Sequence, residues 1–289
     1  MRILISGSTG MIGSFLVPYL AQRGHSVVRL VRRPPVDGEV RWDPAAGQID
    51  AAGLEGFDGV VNLACLPWPA RWTASSRQAM LNNRLATNGL LAESLSSCQN
   101  KPAVLVCSSG MGIYPSMGEQ EITEDSPLGS DFLARLQQDG EAVAMKATQA
   151  GIRVVNLRTP GVLGGAAIQR TIGKIGDGQQ WSPWISRDEL SSIIEYVIAT
   201  NTITGPLNPC SPNPIRNSEY VATSSQVKGA KPAMSIPAFM IKLMMGELGQ
   251  SLVLASRKML PHKLLQHGYQ FRFPTFESAL RRELALLGA

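Results

Sequence analysis

From the first residue to about residue 160, short apolar runs alternate with longer stretches of helical periodicity. Arg2-Ile3-Leu4-Ile5-Ser6 has the length and composition of a buried strand, and a helical stretch follows to about Arg23. After the turn residues Gly24-His25, Ser26 to Leu30 predicts a second strand. Residues 34–57, with Pro34-Pro35, Val40 to Pro44 and a glycine-rich return, predict a loop holding one short strand. Asp58 to Cys65 predicts the next buried strand, and Leu81, Leu85, Leu91 and Leu95 share one face of a helix expected from about Ser75 to Ser97. Ala103 to Cys107 is another strand, then a Gly/Pro loop runs to about Asp131, a helix from about Phe132 to Ala150, and a strand over Arg153 to Arg158. Strands alternating with helices predict an α/β fold with a doubly wound parallel sheet, which takes ligands at the C-terminal ends of its strands.

The rhythm changes after Arg158. Gly176 to Ile185 reads as loop or edge strand, Asp188 to Thr200 as a helix, and Gly205 to Asn208 as a last short strand. From about Pro214 the pattern is of small helices, among them Pro237 to Gly246 and Phe276 to Leu287. The expected organisation is a nucleotide-binding domain over residues 1–160 plus about 187–208, and a smaller, mostly helical substrate domain over about 161–186 and 209–289.

The first strand runs directly into Gly7-Ser8-Thr9-Gly10-Met11-Ile12-Gly13, a Gly-x-x-Gly-x-x-Gly turn that opens a helix. Gly7 permits the tight turn, Gly10 lets the backbone approach a pyrophosphate, and Gly13 lets helix and strand pack closely, so that free N–H groups face the anion. A Rossmann-type dinucleotide site is the expectation. About 20 residues on, where NAD would want a carboxylate for its ribose hydroxyl, stand Val31, Arg32 and Arg33, with no acid before Asp37. Arginines there suit the 2′-phosphate, so NADP(H) is expected in preference to NAD(H). The ends of the later strands, at Leu63, Ala64, Cys65, Ser108, Arg158, Thr159 and Pro160, are expected to complete the cofactor site.

Composition changes this picture little. The 289 residues are 44% hydrophobic and 17% charged, with a net charge of +5 from 27 basic and 22 acidic side chains and no block of like charge. That favours an anionic ligand weakly and leaves no basic stripe for nucleic acid. Cys65, Cys98, Cys107 and Cys210 form no Cys-x-x-Cys pair and no metal-like grouping with His25, His262 and His267, so they read as reduced thiols. No apolar run reaches the length of a membrane span and no signal-peptide pattern opens the chain. A cytoplasmic location is expected, or an organellar one after loss of a targeting segment, with no membrane partner and a monomer or homodimer as the assembly.

The glycine turn, Asp58 to Ala64, Asn83 to Thr87, Ser108 to Tyr114 and Leu157-Arg158 together resemble the extended short-chain dehydrogenase/reductase superfamily. Arg71-Trp72-Thr73, Asp131-Phe132-Leu133, Gln180-Trp181, Trp184-Ile185, Asp188, and the tail Leu260-Pro261 to Leu264 with Gly268-Tyr269-Gln270-Phe271 resemble its atypical, epimerase-like (nucleoside-diphosphate-sugar epimerase-related) group, which carries a short C-terminal domain of unknown function. The superfamily implies a tyrosine that moves the substrate proton, a lysine four residues later that lowers the phenol pKa, and a serine that holds the substrate oxygen. None of the five tyrosines has that lysine: four residues after Tyr19, Tyr114, Tyr196, Tyr220 and Tyr269 come Arg23, Gly118, Thr200, Ser224 and Phe273. With Glu141 as anchor, the tyrosine place falls near Leu133 and the lysine place near Gln137, while the serine place falls at Ser109 or Gly110. The chain also departs from the group at Pro115, Gly140 and Ser186.

Tyr114, Ser109 and Glu124 remain as catalytic candidates, with Asp125 beside Glu124, and Arg71, Trp72, Trp181 and Trp184 as a pocket for an anionic or planar substrate. Two functions follow. One is an NADP(H)-dependent oxidoreductase or epimerase-like enzyme acting on a small molecule through an altered proton relay. The other is an NADP(H)-binding regulatory or sensor protein with little turnover, in keeping with the cell-division labels of some relatives.

Overall fold

The structure, a computed structural model, describes residues 1–67, 72–170 and 172–288. Its centre is an eight-stranded sheet built from β1 (Arg2–Ser6), β2 (Ser26–Val31), β3 (Glu39–Asp43), β4 (Gln48–Ile49), β5 (Gly59–Asn62), β6 (Val104–Gly110), β8 (Arg153–Thr159) and β12 (Gly205–Leu207), in the order β12-β8-β6-β5-β1-β2-β3-β4. All neighbours are parallel except β4, which returns antiparallel on β3. The strand order reverses at β1, which has β2 on one side and β5 on the other, so a crevice opens at the C-terminal ends of β1 and β5.

The period of two along each strand sorts the core into two layers. Ile3 and Ile5 of β1 and Val104 and Val106 of β6 face α1 (Gly13–Gln22) and α4 (Arg187–Ala199), where Leu16, Leu20, Ile193, Ile194 and Val197 meet them. Leu4, Leu105 and Cys107 point the other way, onto Leu91, Ala92 and Leu95 of α2 (Ala74–Ser96) and onto Ala144 at the end of α3 (Phe132–Ala144). Both faces are covered, which is why the strands read as continuous apolar runs.

Helix α2 begins where Thr73 caps it, accepting from Ser76 N at 3.1 Å while Ser76 Oγ accepts from Thr73 N at 2.9 Å. Its buried stripe differs from the expected one. Leu91 and Leu95 are buried, but the stripe continues towards the N-terminus through Asn88, Thr87, Arg84 and Met80, and Leu81 and Leu85 are only half-buried. The helix tilts so that its first half covers the crevice, and polar side chains there find partners in it. Helix α3 is also shorter than expected: after Ala144 the chain tightens into a 3-10 segment, Met145–Ala150, ended by Gly151 at φ 81°.

The remainder packs at the open end of the sheet. Short pairs form between β9 (Gly161–Leu163) and β11 (Trp184–Ser186), between β10 (Trp181–Ser182) and β13 (Ile215–Arg216), and between β7 (Glu121–Ile122) and β14 (Lys258–Met259). Four helices accompany them: α5 (Asn217–Lys228), α6 (Ala238–Met245), α7 (His262–Gln266) and α8 (Phe276–Gly288). Leu163, Trp184, Phe276 and Leu280 make a separate small core there.

Carboxylates at the start of α4 tie this region to the sheet. Glu189, fully buried, accepts from the Tyr269 hydroxyl, from Arg272 N at 2.9 Å and from Phe273 N at 2.8 Å. Glu283 of α8 accepts from Asp188 N at 2.9 Å and from Arg187 Nη2 at 3.1 Å. Asp188 in turn pairs with Arg272 and Arg282 at 2.6 and 2.7 Å. Replacing Glu189 by Ala strands three donors at once, and a loss of about 3 kcal/mol in urea unfolding is expected. A loss below about 1 kcal/mol would show that the donors find other acceptors and that Glu189 is not the tie.

Candidate functional site

The glycine turn is a cradle with no room for side chains. Gly7 lies at φ 68°, and a Cβ on it would sit 2.6 Å from the carbonyl carbon of Leu63. A Cβ on Gly13 would collide with the Gly7 carbonyl oxygen and lie 2.8 Å from Ser8 Cα. No side chain caps the N-terminus of α1, whose N-cap is Ile12; Ser14 N and Phe15 N bond the Gly10 and Ile12 carbonyls at 2.9 and 3.1 Å, while the N–H groups of Met11, Ile12 and Gly13 have no acceptor among the described residues and are left for a ligand. Behind the cradle a buried chain of hydrogen bonds links β1, β5, α2 and α3. Ser6 Oγ donates to Asn62 Oδ1, Asn62 Nδ2 to Asn88 Oδ1 at 2.8 Å, and Asn88 Nδ2 to the Gly140 carbonyl at 2.8 Å.

Two cavities meet at this turn. One, of about 760 Å³, is walled by Gly7 to Gly10, by Arg29 to Arg33 at the end of β2, by Asp43 and by Leu63 to Cys65. Arg32 is exposed and has neither hydrogen bond nor ion pair among the described residues. Arg33 is held by Glu39 at 2.7 Å and by the Pro34 carbonyl. The Asp43 Oδ1 is spent on the turn N–H groups of Ala45 and Ala46.

The second cavity, of about 490 Å³, continues from Gly10 to Gly13 past Leu63 and Cys65 to the ends of β6 and β8, where Ser108, Ser109, Thr159 and Pro160 line it. Its floor comes from α2 and α3. Arg84 is buried and donates through Nη1 to the Ser108 carbonyl at 2.7 Å and to Ser108 Oγ at 3.1 Å; burial pushes its guanidinium below the ordinary arginine value. Gly140 makes this possible, since a Cβ there would come within 2.6 Å of Arg84 Cγ. Leu133 and Gln137, one helical turn apart on α3, both line the cavity, and the buried Gln137 Oε1 meets no partner among the described residues. Ser109 Oγ donates to Glu141 Oε1 at 2.7 Å, and Arg158 grips the same carboxylate with Nε at 3.0 Å and Nη2 at 2.9 Å.

Several sequence-proposed residues stand elsewhere. Tyr114 is fully buried behind the cavity wall; its hydroxyl donates to Asn208 Oδ1 at 2.8 Å and accepts from Arg158 Nη1 at 2.8 Å, and burial pushes the phenol above its ordinary value. Glu124 is buried as well. Its Oε1 accepts from Asn208 N at 3.1 Å and Lys263 N at 3.3 Å, and burial raises its carboxyl. Both side chains brace the loop after β6 against the C-terminal part. Arg158 is likewise an inner clamp between Glu141 and Tyr114, outside the cavity wall. Trp72 packs edge-on to Phe132 with centroids 5.1 Å apart, and Arg71 lies outside the described residues. Trp181 and Trp184 line a third cavity. Among the described residues no group of His, Cys, Asp and Glu is placed to hold a metal, and no helix is long and apolar enough to cross a membrane.

Residues 3–205 match the NAD dependent epimerase/dehydratase family. The chain belongs to that family. Residues 236–283 also match a domain of unknown function, DUF1731. Among relatives, the human epimerase family protein SDR39U1 is 32% identical over 99% of this chain and 100% of its own, and the epimerase family protein ML0860 of Mycobacterium leprae is 30% identical over 96% and 94%. A crystal structure of the human protein (isoform 2) with NADPH superposes with a TM-score of 0.89 at 31% identity, covering 99% of both chains. A UDP-N-acetylglucosamine 4-epimerase from Bacillus cereus, at 15% identity and TM-score 0.77 over the whole of both chains, shares the fold.

Leu133 and Gln137, the positions near which the resemblance puts the tyrosine and lysine places, both line the cavity. Arg84 and Arg257 were not singled out from sequence. The signal for Arg84 was its position four residues before Asn88 and seven before Leu91, in line with the buried stripe of α2. Cys65 is the exposed thiol of the four, while burial pushes Cys107 up to about 12 and Cys98 and Cys210 up as well. A thiol-selective reagent at neutral pH is therefore expected to modify one cysteine rapidly in the native protein, and peptide mapping to find it at Cys65. Rapid modification of Cys107 would mean that the sheet opens at β6.

Proposed function

We propose that the protein is an NADP(H)-dependent oxidoreductase acting on a small alcohol or carbonyl compound, with Ser109 and Glu141 moving the proton in place of a tyrosine and lysine. The observation that carries this reading is the Ser109 hydroxyl in the cavity wall with its hydrogen bond to Glu141 behind it. The residues present fit the cofactor. Gly7 and Gly13 form a cradle that any Cβ would fill, the Met11, Ile12 and Gly13 N–H groups are open, and Gln137 Oε1 is an orphaned acceptor suited to a hydroxyl or carboxamide N–H. Arg32, unpaired at the end of β2, would hold a 2′-phosphate, with Arg29 adding charge beside it. The human relative's structure with NADPH supports the same choice.

When bound, the dinucleotide supplies or accepts the hydride. The chain's own part is the proton. In the oxidative direction an alcohol O–H donates to Ser109 Oγ, whose proton is already directed at Glu141. As the carbinol carbon loses hydride, the alcohol proton passes to Oγ and the Ser109 proton to Glu141 Oε1, leaving a carbonyl and a neutral carboxyl; reduction is the reverse. Arg158 fixes the carboxylate by its two-pronged grip, and Arg84 holds Ser108 and so the strand end that presents Ser109.

Two measurements test this. In fluorescence titration Arg32→Asp is expected to weaken NADPH about 10- to 100-fold while leaving NADH unchanged. Equal loss of both would place the phosphate site elsewhere. With a panel of carbonyl acceptors, Ser109→Ala is expected to lower kcat about 10²- to 10⁴-fold with NADPH affinity kept. Tight NADPH binding by the wild-type protein with no acceptor-dependent oxidation would instead support a binding or sensing role.

A further inference from the structure

The third cavity, of about 270 Å³, lies between the end of β8 and the C-terminal part, walled by Trp181, Trp184, Tyr220, Met111 and Asn217. Met111 and Gly161 also line the cavity that holds Ser109, so the two spaces adjoin. Arg257 forms the polar end. It is 2% exposed, its Nε donates to the Tyr114 carbonyl at 2.9 Å, and its Nη1 meets no acceptor among the described residues. The cations over the Trp181 ring are matched: Arg216 pairs with Glu119 at 2.9 Å and Lys258 with Glu121 at 3.0 Å. Asp131, whose field acts on Arg257, has its Oδ1 committed to the first turn of α3 through Ala134 N at 2.8 Å. Burial pushes Arg257 down to about 10, which leaves it a cation at neutral pH.

A guanidinium buried without a counter-charge in contact pays a desolvation cost, and an arriving anion recovers part of it. The shape of the surroundings then limits the anion. Only one guanidinium edge is open, so a single carboxylate is matched where a diphosphate would need more cations. The walls are aromatic and aliphatic, and the volume lies below the roughly 300–1,000 Å³ of sites for drug-sized ligands. We infer that this cavity is the substrate subsite and takes a small monocarboxylate with a one- or two-ring apolar body, its carboxylate on Arg257 and its reactive carbon directed past Met111 towards Ser109. This rests on the oxidoreductase reading for its reactive end, and on Arg257 alone for its carboxylate. A nucleotide sugar is excluded as occupant by both charge and size.

The test is calorimetric titration of the full chain with 2-naphthoate and its neutral counterpart 2-naphthamide, with UDP-glucose in parallel, each with and without saturating NADPH. Naphthoate is expected to bind at least tenfold more tightly than naphthamide, and UDP-glucose not to compete. Arg257→Leu is expected to abolish the preference for the acid while naphthamide and NADPH affinities stay as they were. Because Arg257 also holds the Tyr114 carbonyl, Arg257→Lys serves if the leucine variant fails to fold; it keeps the charge without the fork, and a reduced but persisting preference is expected. Equal affinity for acid and amide in the wild-type protein, a preference that survives Arg257→Leu, or tighter binding of UDP-glucose would overturn the inference. Failure of NADPH to bind would sink the oxidoreductase reading alone, since the acid-over-amide preference is read without dinucleotide as well.

Discussion

The backbone of Gly7 lies against the backbone of Leu63, and the rest of the structure is arranged to keep it there. Neither this contact nor the seating of Gly13 on the Gly7 carbonyl tolerates a Cβ, so two strand ends and a helix start converge within a few ångströms. Such closeness leaves polar groups with no water, and the buried chain from Ser6 through Asn62 and Asn88 to the Gly140 carbonyl satisfies them. That chain reaches α3. By fixing α2 and α3 to the cradle, it sets where Arg84, Gln137 and Glu141 stand relative to the ends of β6 and β8.

Burying so many ionic groups near one crevice is expensive, and the cost is met differently in each case. Glu141 and Arg158 form a two-pronged pair that also spans from α3 to β8. Arg84 has no carboxylate in contact among the described residues and relies on the Ser108 carbonyl at the C-terminal end of a strand, with Glu141 further away contributing field. Arg257 has a carbonyl for one N–H and an orphan at another. The first arrangement pairs the charges fully and still accepts the Ser109 hydroxyl at 2.7 Å. The third is open, and the difference separates a brace from a binding group more sharply than residue type does.

The glycine turn, the strand alternation and the site at the β1/β5 reversal were legible because each is a local pattern: a fixed spacing, a period of two, a helix start. That Leu133, Gln137 and Glu141 share one helix was legible too, from its periodicity. Tyr114 was misread because its environment is made by Arg158 and Asn208, 44 and 94 residues on, which turn a loop tyrosine into a buried strut. Glu124 was misread for the same reason, its partners being backbone N–H groups of Asn208 and Lys263. Arg257, between Ser256 and Lys258, reads as one more solvated basic residue. Its burial and the bond from its Nε to the Tyr114 carbonyl at 2.9 Å reveal that it points inward. Leu81 and Leu85 have helical spacing yet flank the buried stripe, because the crevice asks for polar contacts where periodicity alone would place leucines.

The cavity lined by Ser109, with Glu141 behind it, and the cavity lined by Arg257 share Met111 and Gly161. The loop after β6 lies between them and is braced on both sides. Tyr114 of that loop is gripped at its hydroxyl by Arg158, the residue that fixes Glu141, and at its carbonyl by Arg257. Occupancy at the Arg257 end therefore bears on the same short segment that carries Met111 and follows Ser109. In a chain with no Tyr-x-x-x-Lys pair, the buried Tyr114 joins Arg158 through its hydroxyl and Arg257 through its carbonyl, and so connects the two cavities through one residue.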